Sequence, residues 1–193
     1  MRKLLLAFSA ISALAMIGAQ SPSSEAPTYT AKGDLVAPTH YREWIYLTSG
    51  IDMSYTAAAN PGHSIFDNVF VNPSSYRSFL ATGTWPDKTT LVLEARGAEN
   101  PTSINKRGHT QSTDIMGVEI HVKDNGKWSF YDLSGNSSEA TLIPRPADCY
   151  TCHEAHAAVD TTFVQFYPTL LPLAKSKNTL SPAYLKEMAA PAK

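Results

Sequence analysis

Two cysteines and a histidine near the C-terminus form the most informative motif of the chain. Cys149-Tyr150-Thr151-Cys152-His153 reads C-x-x-C-H, and it contains the only two cysteines among the 193 residues. Thiols three positions apart can each add to one vinyl group of a haem, and the histidine that follows can give an imidazole nitrogen to the iron. The motif therefore predicts one covalent c-type haem held by Cys149 and Cys152, with His153 as the axial iron ligand.

Other chemistries also use closely spaced cysteines. A thioredoxin-like redox pair does not need the histidine and normally lies in a βαβ unit, which the sequence does not indicate. A zinc site needs four ligands at regular spacing. A disulfide between Cys149 and Cys152 would close a very short loop, so its entropic benefit would be small. Haem attachment is the favoured interpretation.

The opposite end of the chain predicts export. Two basic residues, an apolar run that ends at Gly18 and small residues around Ala19 have the layout of a secretory signal peptide over residues 1–20. The run is short for a membrane span, which needs ~20 apolar residues, although an uncleaved anchor is the alternative. We expect a periplasmic protein in which residues 21–32 form a flexible polar linker.

Length and charge bound the remaining organisation. We expect one haem domain over residues 33–175, followed by a polar, loosely ordered tail over residues 176–193. The formal net charge is −1, and it becomes −3 if Arg2 and Lys3 are removed with the signal peptide. The sequence contains no basic stripe, so a nucleic-acid partner is not expected.

Alternating apolar patterns predict an α+β fold, mainly an antiparallel sheet with a few helices. The predicted strands are residues 43–48, 65–72, 89–96, 115–122 and 127–133. A short helix is predicted over residues 74–82, with Gly83 as its C-cap. Along the third strand, Leu91 and Leu93 should face one side, and Val92 and Glu94 the other.

The C-terminal third changes to helical patterns. Asp148 follows Pro144 and Pro146 and could cap a helix that carries the two cysteines and the histidine. A second helix is predicted from about Asp160 to Pro168. The helices that carry the haem motif should therefore follow the sheet in the chain.

The late position of the motif argues against a methionine-ligated electron carrier. Only 40 residues follow His153, and Met188 is their sole methionine. Met53 and Met116 lie upstream, and the strand pattern predicts that Met116 packs in the core. A histidine is the other possible sixth ligand; His121 is expected near the surface or beside the ligand rather than on the iron.

Several short segments of the chain follow one another in a characteristic order and spacing. They are His40–Trp44, Val69–Pro73 with Tyr76, Met116–Glu119, Val122–Asp124, Trp128–Tyr131, Cys149–His153 and Phe163–Pro168. In order and spacing the chain resembles the cytochrome P-460 family, which includes the beta type of cytochrome c-prime. The resemblance implies a mostly antiparallel β fold, often a homodimer, around one c-type haem. It also implies a five-coordinate iron with a proximal histidine and an open distal face.

The resemblance also assigns residues to the distal side. Members that oxidise hydroxylamine have a lysine cross-linked to the haem at the position of Leu93, and leucine cannot form that bond. Lys88 is five residues away and belongs to the opposite strand face. The distal arginine of those enzymes corresponds to Asp67, and their distal carboxylate corresponds to Glu119. An un-cross-linked haem is therefore implied, with Leu93 and Asp67 in the distal pocket and Glu119 as an acid or base.

Three functions are compatible with these residues. The first is a haem protein that binds nitric oxide or a similar small ligand, since an apolar distal side favours neutral diatomics. The second is an oxidoreductase acting on hydroxylamine or nitric oxide, in which Glu119 would accept a proton. The third is an electron-transfer cytochrome with a periplasmic redox partner. Without the family resemblance, Glu119 fits a solvated strand face better, because glutamate is seldom buried.

Overall fold

The protein is built around a seven-stranded antiparallel sheet. The computed structural model describes residues 25–55, 64–135 and 137–190. The strands are β1 (Leu35–Val36), β2 (Ile45–Ile51), β3 (Ile65–Val71), β4 (Thr90–Glu99), β5 (Thr110–Asp124), β6 (Lys127–Leu133) and β7 (Glu139–Leu142). Their order across the sheet is β1-β7-β6-β5-β4-β3-β2. The helices are α1 (Pro73–Thr82), α2 (Asp148–His156), α3 (Leu171–Lys177) and α4 (Pro182–Ala189).

The predicted α+β class with a mainly antiparallel sheet is confirmed. The five predicted strands are β2 to β6, and β6 has the predicted bounds. Asn125 and Gly126 turn the chain between β5 and β6 with φ values of 49° and 73°, as a tight hairpin turn requires. β1 and β7 were not predicted, because strands of two and four residues are too short to show alternation. No helix in the described ranges is long and apolar enough to cross a membrane.

The two faces of the sheet bury different apolar clusters. Leu91 and Phe130 belong to the cluster that packs against the helices, whereas Val92 and Ile120 pack with Leu35 from the N-terminal segment. The alternation predicted for β4 is thus confirmed. Its consequence is that side chains in register with Leu91 and Leu93 face the C-terminal segment.

Helix α1 ends as the sequence predicts. Gly83 has φ 77°, and its N–H bonds the carbonyl of Phe79, which is a left-handed C-cap. A Cβ at this position would lie 2.8 Å from Lys177 Cβ. Glycine is therefore needed both for the turn and for the close approach of the C-terminal end of α3.

The helix predicted over residues 160–168 is wrong. Asp160 and Thr161 have left-handed φ values of 49° and 55°, which interrupt a helix. Val159 pairs with Thr162 in a tight turn. Between this turn and Pro168, the only helical element is a single 3-10 turn, Val164–Phe166.

The loosely ordered tail predicted after residue 175 is also wrong over α4. Ser181 Oγ accepts a hydrogen bond from the N–H of Tyr184 at 3.1 Å, and Pro182 begins the helix. This is a recognised helix start. Tyr184 is buried in the helix-side core, so the C-terminal helix belongs to the domain.

The predicted inward orientation of Met116 is wrong, because its side chain is 56% exposed. The pairing of β5 with β4 shifts register at this point: Ala95 faces Gly117, whereas Arg96 faces Ile115. Such an irregularity breaks the two-residue alternation. Val118, two residues further on, is buried as expected.

The structure describes only part of the N-terminal region for which a signal peptide and a linker are predicted. Residues 1–20, the predicted signal peptide, lie outside the described residues. Within the predicted linker, Glu25 accepts a hydrogen bond from the N–H of Ser74 at 2.7 Å, and Tyr29 pairs with Leu35. The described part of this segment therefore lies against the domain.

A buried carboxylate stabilises the sheet on the face opposite the helices. Glu94 is 2% exposed, and it accepts hydrogen bonds from Tyr41, Arg42 and Arg96. Burial alone would raise the pKa of Glu94, but the bonds from Arg96, Tyr41 and Arg42 together hold it below its ordinary value. The charged form is therefore part of the folded structure.

We expect Glu94→Gln to lower the free energy of unfolding by about 3 kcal/mol, because the arginines would lose their buried counter-charge. A depressed carboxyl pKa stabilises the fold above the unfolded value of about 4.3. In the unmodified protein this contribution should therefore decrease as the pH falls below that value. Urea unfolding at several pH values measures both effects. Glu43→Gln, at a side chain that is 79% exposed, should change little; equal effects of the two substitutions would contradict the prediction.

Candidate functional site

A cavity of about 440 Å³ lies between the sheet and the C-terminal segment. Its volume is in the range of small-molecule and cofactor sites. Its lining includes every site residue predicted from the sequence: Asp67, Leu93, Glu119, Cys149, Cys152 and His153. The fold thus brings three strand residues and the C-x-x-C-H segment to the same space.

Strand pairing forms one wall of the cavity. Val69, Leu93 and Glu119 lie in one register row across β3, β4 and β5. Asp67 begins the next row, which continues to Gly117 on β5, where a Cβ atom would have nothing within 4 Å. The middle of this wall is therefore apolar, and the space beside Gly117 is open.

Helix α2 presents the two thiols on the opposite wall. Cys149, Cys152 and His153 are at positions i, i+3 and i+4, which share one helix face, and all three line the cavity. Both thiols are free and half-buried. The predicted helix over this segment is confirmed, with Ala147 rather than Asp148 at the N-cap position. Two thiols and an imidazole thus point to one space.

His153 is held as a neutral imidazole with one nitrogen free. Its Nδ1 lies 2.9 Å from the carbonyl oxygen of Thr161, and since a carbonyl only accepts, Nδ1 carries the proton. Burial lowers the pKa of His153 to about 4, and the neighbouring His121 adds to this shift. The ring packs 4.2 Å from that of Phe163. The lone pair is therefore on Nε2, the arrangement of a metal-ligating histidine.

Asp67, Glu119 and Asp148 line the cavity, and the first two differ in their electrostatics. Glu119 Oε2 is 3.8 Å from His121 Nε2, and this neighbour holds the pKa of Glu119 below its ordinary value against the effect of burial. Burial raises the pKa of Asp67, and the charges of Glu119 and Asp52 raise it further. Glu119 is 54% exposed yet lines the cavity. It is thus a charged group at the opening, whereas the charge of Asp67 is disfavoured.

His121 lies beside His153 rather than opposite it. The two ring centres are 5.1 Å apart at an angle of 75°, and His121 stacks on Phe130 at 3.9 Å. Two imidazoles that bind opposite faces of one haem iron, with bonds of about 2 Å each, would have their ring centres about 6 Å apart. The geometry fits the prediction that His121 neighbours the ligand without being one.

The structure adds residues that strand and helix patterns did not indicate. Met53 and Tyr55 follow β2, and both line the cavity together with Thr162. No periodic pattern distinguishes these positions in the sequence. Among the methionines discussed as sixth ligands, Met53 lines the cavity, whereas Met116 and Met188 do not.

The donor set and the lining fit a haem. The sheet wall is apolar at Val69, Leu91 and Leu93, and Phe163 continues the apolar surface on the C-terminal side. A covalently attached c-type haem needs apolar walls for its flat ring, two reactive thiols at its edge and an axial nitrogen. The cavity and its donor set assign the protein to the class of haem-binding proteins.

Comparison with protein families gives the same answer. A family model described as Cytochrome P460 matches residues 38–164. Because the match spans most of the chain, the protein belongs to the cytochrome P460 family and is a haem-binding cytochrome. A search of curated proteins gives no match to the chain.

Proposed function

We propose that the protein is an exported mono-haem c-type cytochrome that binds nitric oxide or a similar small neutral ligand at a five-coordinate iron. Cys149 and Cys152 would hold the haem through thioethers, and His153 Nε2 would bind the iron. When bound, the haem supplies an iron centre that takes ligands and electrons. The observation that carries the proposal is the cavity, with thiols and a neutral imidazole on one wall and the apolar side chains of Val69, Leu91 and Leu93 on the other.

The sheet wall supports a preference for neutral ligands. Val69 and Leu93 offer no hydrogen bond to water or to an anion, and such pockets favour diatomic gases. The carboxylates of Asp67 and Glu119 line the same space and repel anions. Apolar surface and negative charge thus act in the same direction.

The absence of a lysine–haem cross-link is also part of the proposal. Leu93, at the position where the family resemblance places the cross-linking lysine, lines the cavity. Its side chain has no nucleophile. The nearest lysine along the strand, Lys88, forms an ion pair with Asp124. This contact holds the Lys88 ammonium at the β5–β6 turn.

The ferrous optical spectrum tests the proposal. A five-coordinate, high-spin spectrum that changes on titration with nitric oxide is expected, together with a pyridine haemochrome typical of two thioethers. A six-coordinate, low-spin spectrum without added ligand would contradict it and would favour the electron-transfer alternative. Met53→Leu would then show whether Met53, the methionine at the cavity, is the sixth ligand.

A second candidate function is oxidation of hydroxylamine or nitric oxide. It is favoured by Glu119, a carboxylate kept charged by His121 at the cavity, which could accept a proton from a substrate N–H or O–H group. Steady-state assays with hydroxylamine and an electron acceptor test it. Turnover should exceed that of free haem and fall in Glu119→Gln; turnover equal to free haem would end this candidate.

Location and assembly complete the proposal. Export by residues 1–20 would place the protein in the periplasm, where a redox partner could reduce the iron, and a homodimer is expected. N-terminal sequencing of the exported protein tests cleavage of the signal, since an intact N-terminus would indicate an anchor. Sedimentation equilibrium measures the assembly, and a monomer at working concentration would reject the dimer.

A further inference from the structure

We propose that Lys123 and Asp160 are positioning residues that hold the Thr161 carbonyl against His153, and thereby set the donor strength of the axial imidazole. The inference rests on the proposed role of His153 as the iron ligand. Neither residue lines the cavity, so both would act through the turn between α2 and the segment that follows.

The turn that carries Thr161 has an unfavourable backbone conformation. Asp160 and Thr161 both have left-handed φ values, 49° and 55°, a backbone region that is unfavourable for residues other than glycine. Threonine is β-branched and fits this region especially poorly. The turn therefore needs external contacts to keep its shape.

Lys123 supplies the first contact from the sheet. Its side chain is 13% exposed, and its ammonium forms an ion pair with the Asp160 carboxylate. The same ammonium donates to the carbonyl of Trp85 at 2.7 Å. Because the N–H of Lys123, on β5, donates to the carbonyl of Thr89, directly before β4, the ion pair connects the turn to the sheet.

Thr162 supplies the second contact. Its hydroxyl accepts a hydrogen bond from Trp85 Nε1 at 2.8 Å and donates to the carbonyl of Val159 at 2.7 Å. Thr162 is 1% exposed. The turn is thus fixed on both sides of Thr161, whose carbonyl lies 2.9 Å from His153 Nδ1.

The hydrogen bond to Thr161 has a chemical consequence for the ligand. A carbonyl that accepts from the second nitrogen of a metal-ligating histidine fixes the ring orientation and makes the ligating nitrogen more basic. A more basic imidazole stabilises the ferric state. Loosening the turn should therefore weaken the iron–imidazole bond and raise the reduction potential.

Asp160→Asn and Lys123→Met test the ion pair from both sides. Asparagine keeps the size of Asp160 and tolerates the left-handed backbone, so this substitution removes only the charge. Both variants should show a lower iron–imidazole stretching frequency in the ferrous resonance Raman spectrum and a higher reduction potential. Lys123→Arg, which keeps the ion pair, should stay near the unmodified protein.

Lys88→Met is the matched control, since Lys88 pairs with Asp124 at the surface, with 53% of its side chain exposed. It should change neither quantity. Unchanged frequency and potential in both Asp160→Asn and Lys123→Met would overturn the inference while leaving His153 ligation intact. Absence of an iron–imidazole band in the unmodified protein would instead overturn the proposed ligation, and the inference with it.

Discussion

Simultaneous replacement of Cys149 and Cys152 by serine is expected to abolish covalent haem attachment. Serine hydroxyls do not add to haem vinyl groups, and these are the only two thiols of the chain. Each single replacement should leave one thioether, because both thiols line the same cavity. Haem staining after denaturing electrophoresis and the pyridine haemochrome spectrum measure the result. Haem that stays attached in the double variant would contradict the assignment.

A companion variant separates attachment from ligation. His153→Gly should keep the thioethers but lose the iron–imidazole band, and added imidazole should restore it by entering the space left by the side chain. His121→Gly is the control, because His121 is also a half-buried imidazole at the cavity, 5.1 Å from His153. Its removal should leave the band in place. Loss of the band in His121→Gly alone would reverse the two roles.

The attachment motif could be predicted from the sequence because its chemistry is local. Cys149, Cys152 and His153 lie within five residues, and any helical conformation places them on one face. Leu93 and Glu119 are different: alternation assigns each to a strand face, but only the packing of the sheet determines which face is covered. Their place at the cavity came from the family resemblance, and the pairing of β4 with β5 explains it.

Two of the wrong predictions share a physical cause. The exposure of Met116 follows from a register shift that no residue pattern announces. The turn at Asp160 and Thr161 uses left-handed residues other than glycine, and it is contacted by Lys123, which lies far away in the sequence. In both cases long-range contacts override a local preference.

The buried cluster around Glu94 shows the same limit in another form. Glu94 reads as the polar side of an alternating strand, and its partner Tyr41 is 53 positions away. A single sequence does not indicate which residues that far apart along the chain will contact each other. The C-terminal helix is the opposite case, since Ser181-Pro182 is a local start signal that the polar composition of the tail concealed.

Asp67→Asn is expected to increase the affinity of the ferric protein for azide by roughly thirty-fold. Two unit charges about 8 Å apart interact by about 2 kcal/mol at an effective dielectric constant near 20, and each 1.4 kcal/mol is about tenfold in affinity. Asp67 lines the cavity, so its charge opposes every anion that enters. Affinity for nitric oxide, which is neutral, should change little. Spectrophotometric titrations with the two ligands measure this contrast.

Asp132→Asn is the matched control for charge. Asp132 is the register partner of Glu119, but it is exposed and bonded to Ser134. Its removal lowers the net negative charge equally and should leave azide affinity nearly unchanged. Equal gains in the two variants would show that overall charge, rather than a charge in the cavity, excludes anions.

Asp67→Asn should also make the fold more stable, so the exclusion of anions by Asp67 would come with a loss of folding stability. Burial and the charges of Glu119 and Asp52 raise the pKa of Asp67, so its ionised form destabilises the folded state above the unfolded value of about 3.9. Asp67→Asn should therefore raise the thermal midpoint at neutral pH, with a smaller gain as the pH falls and Asp67 becomes protonated. The charge of Asp67 would thus both exclude anions from the cavity and lower the stability of the fold. A lower midpoint together with unchanged azide affinity would reduce Asp67 to an ordinary structural residue.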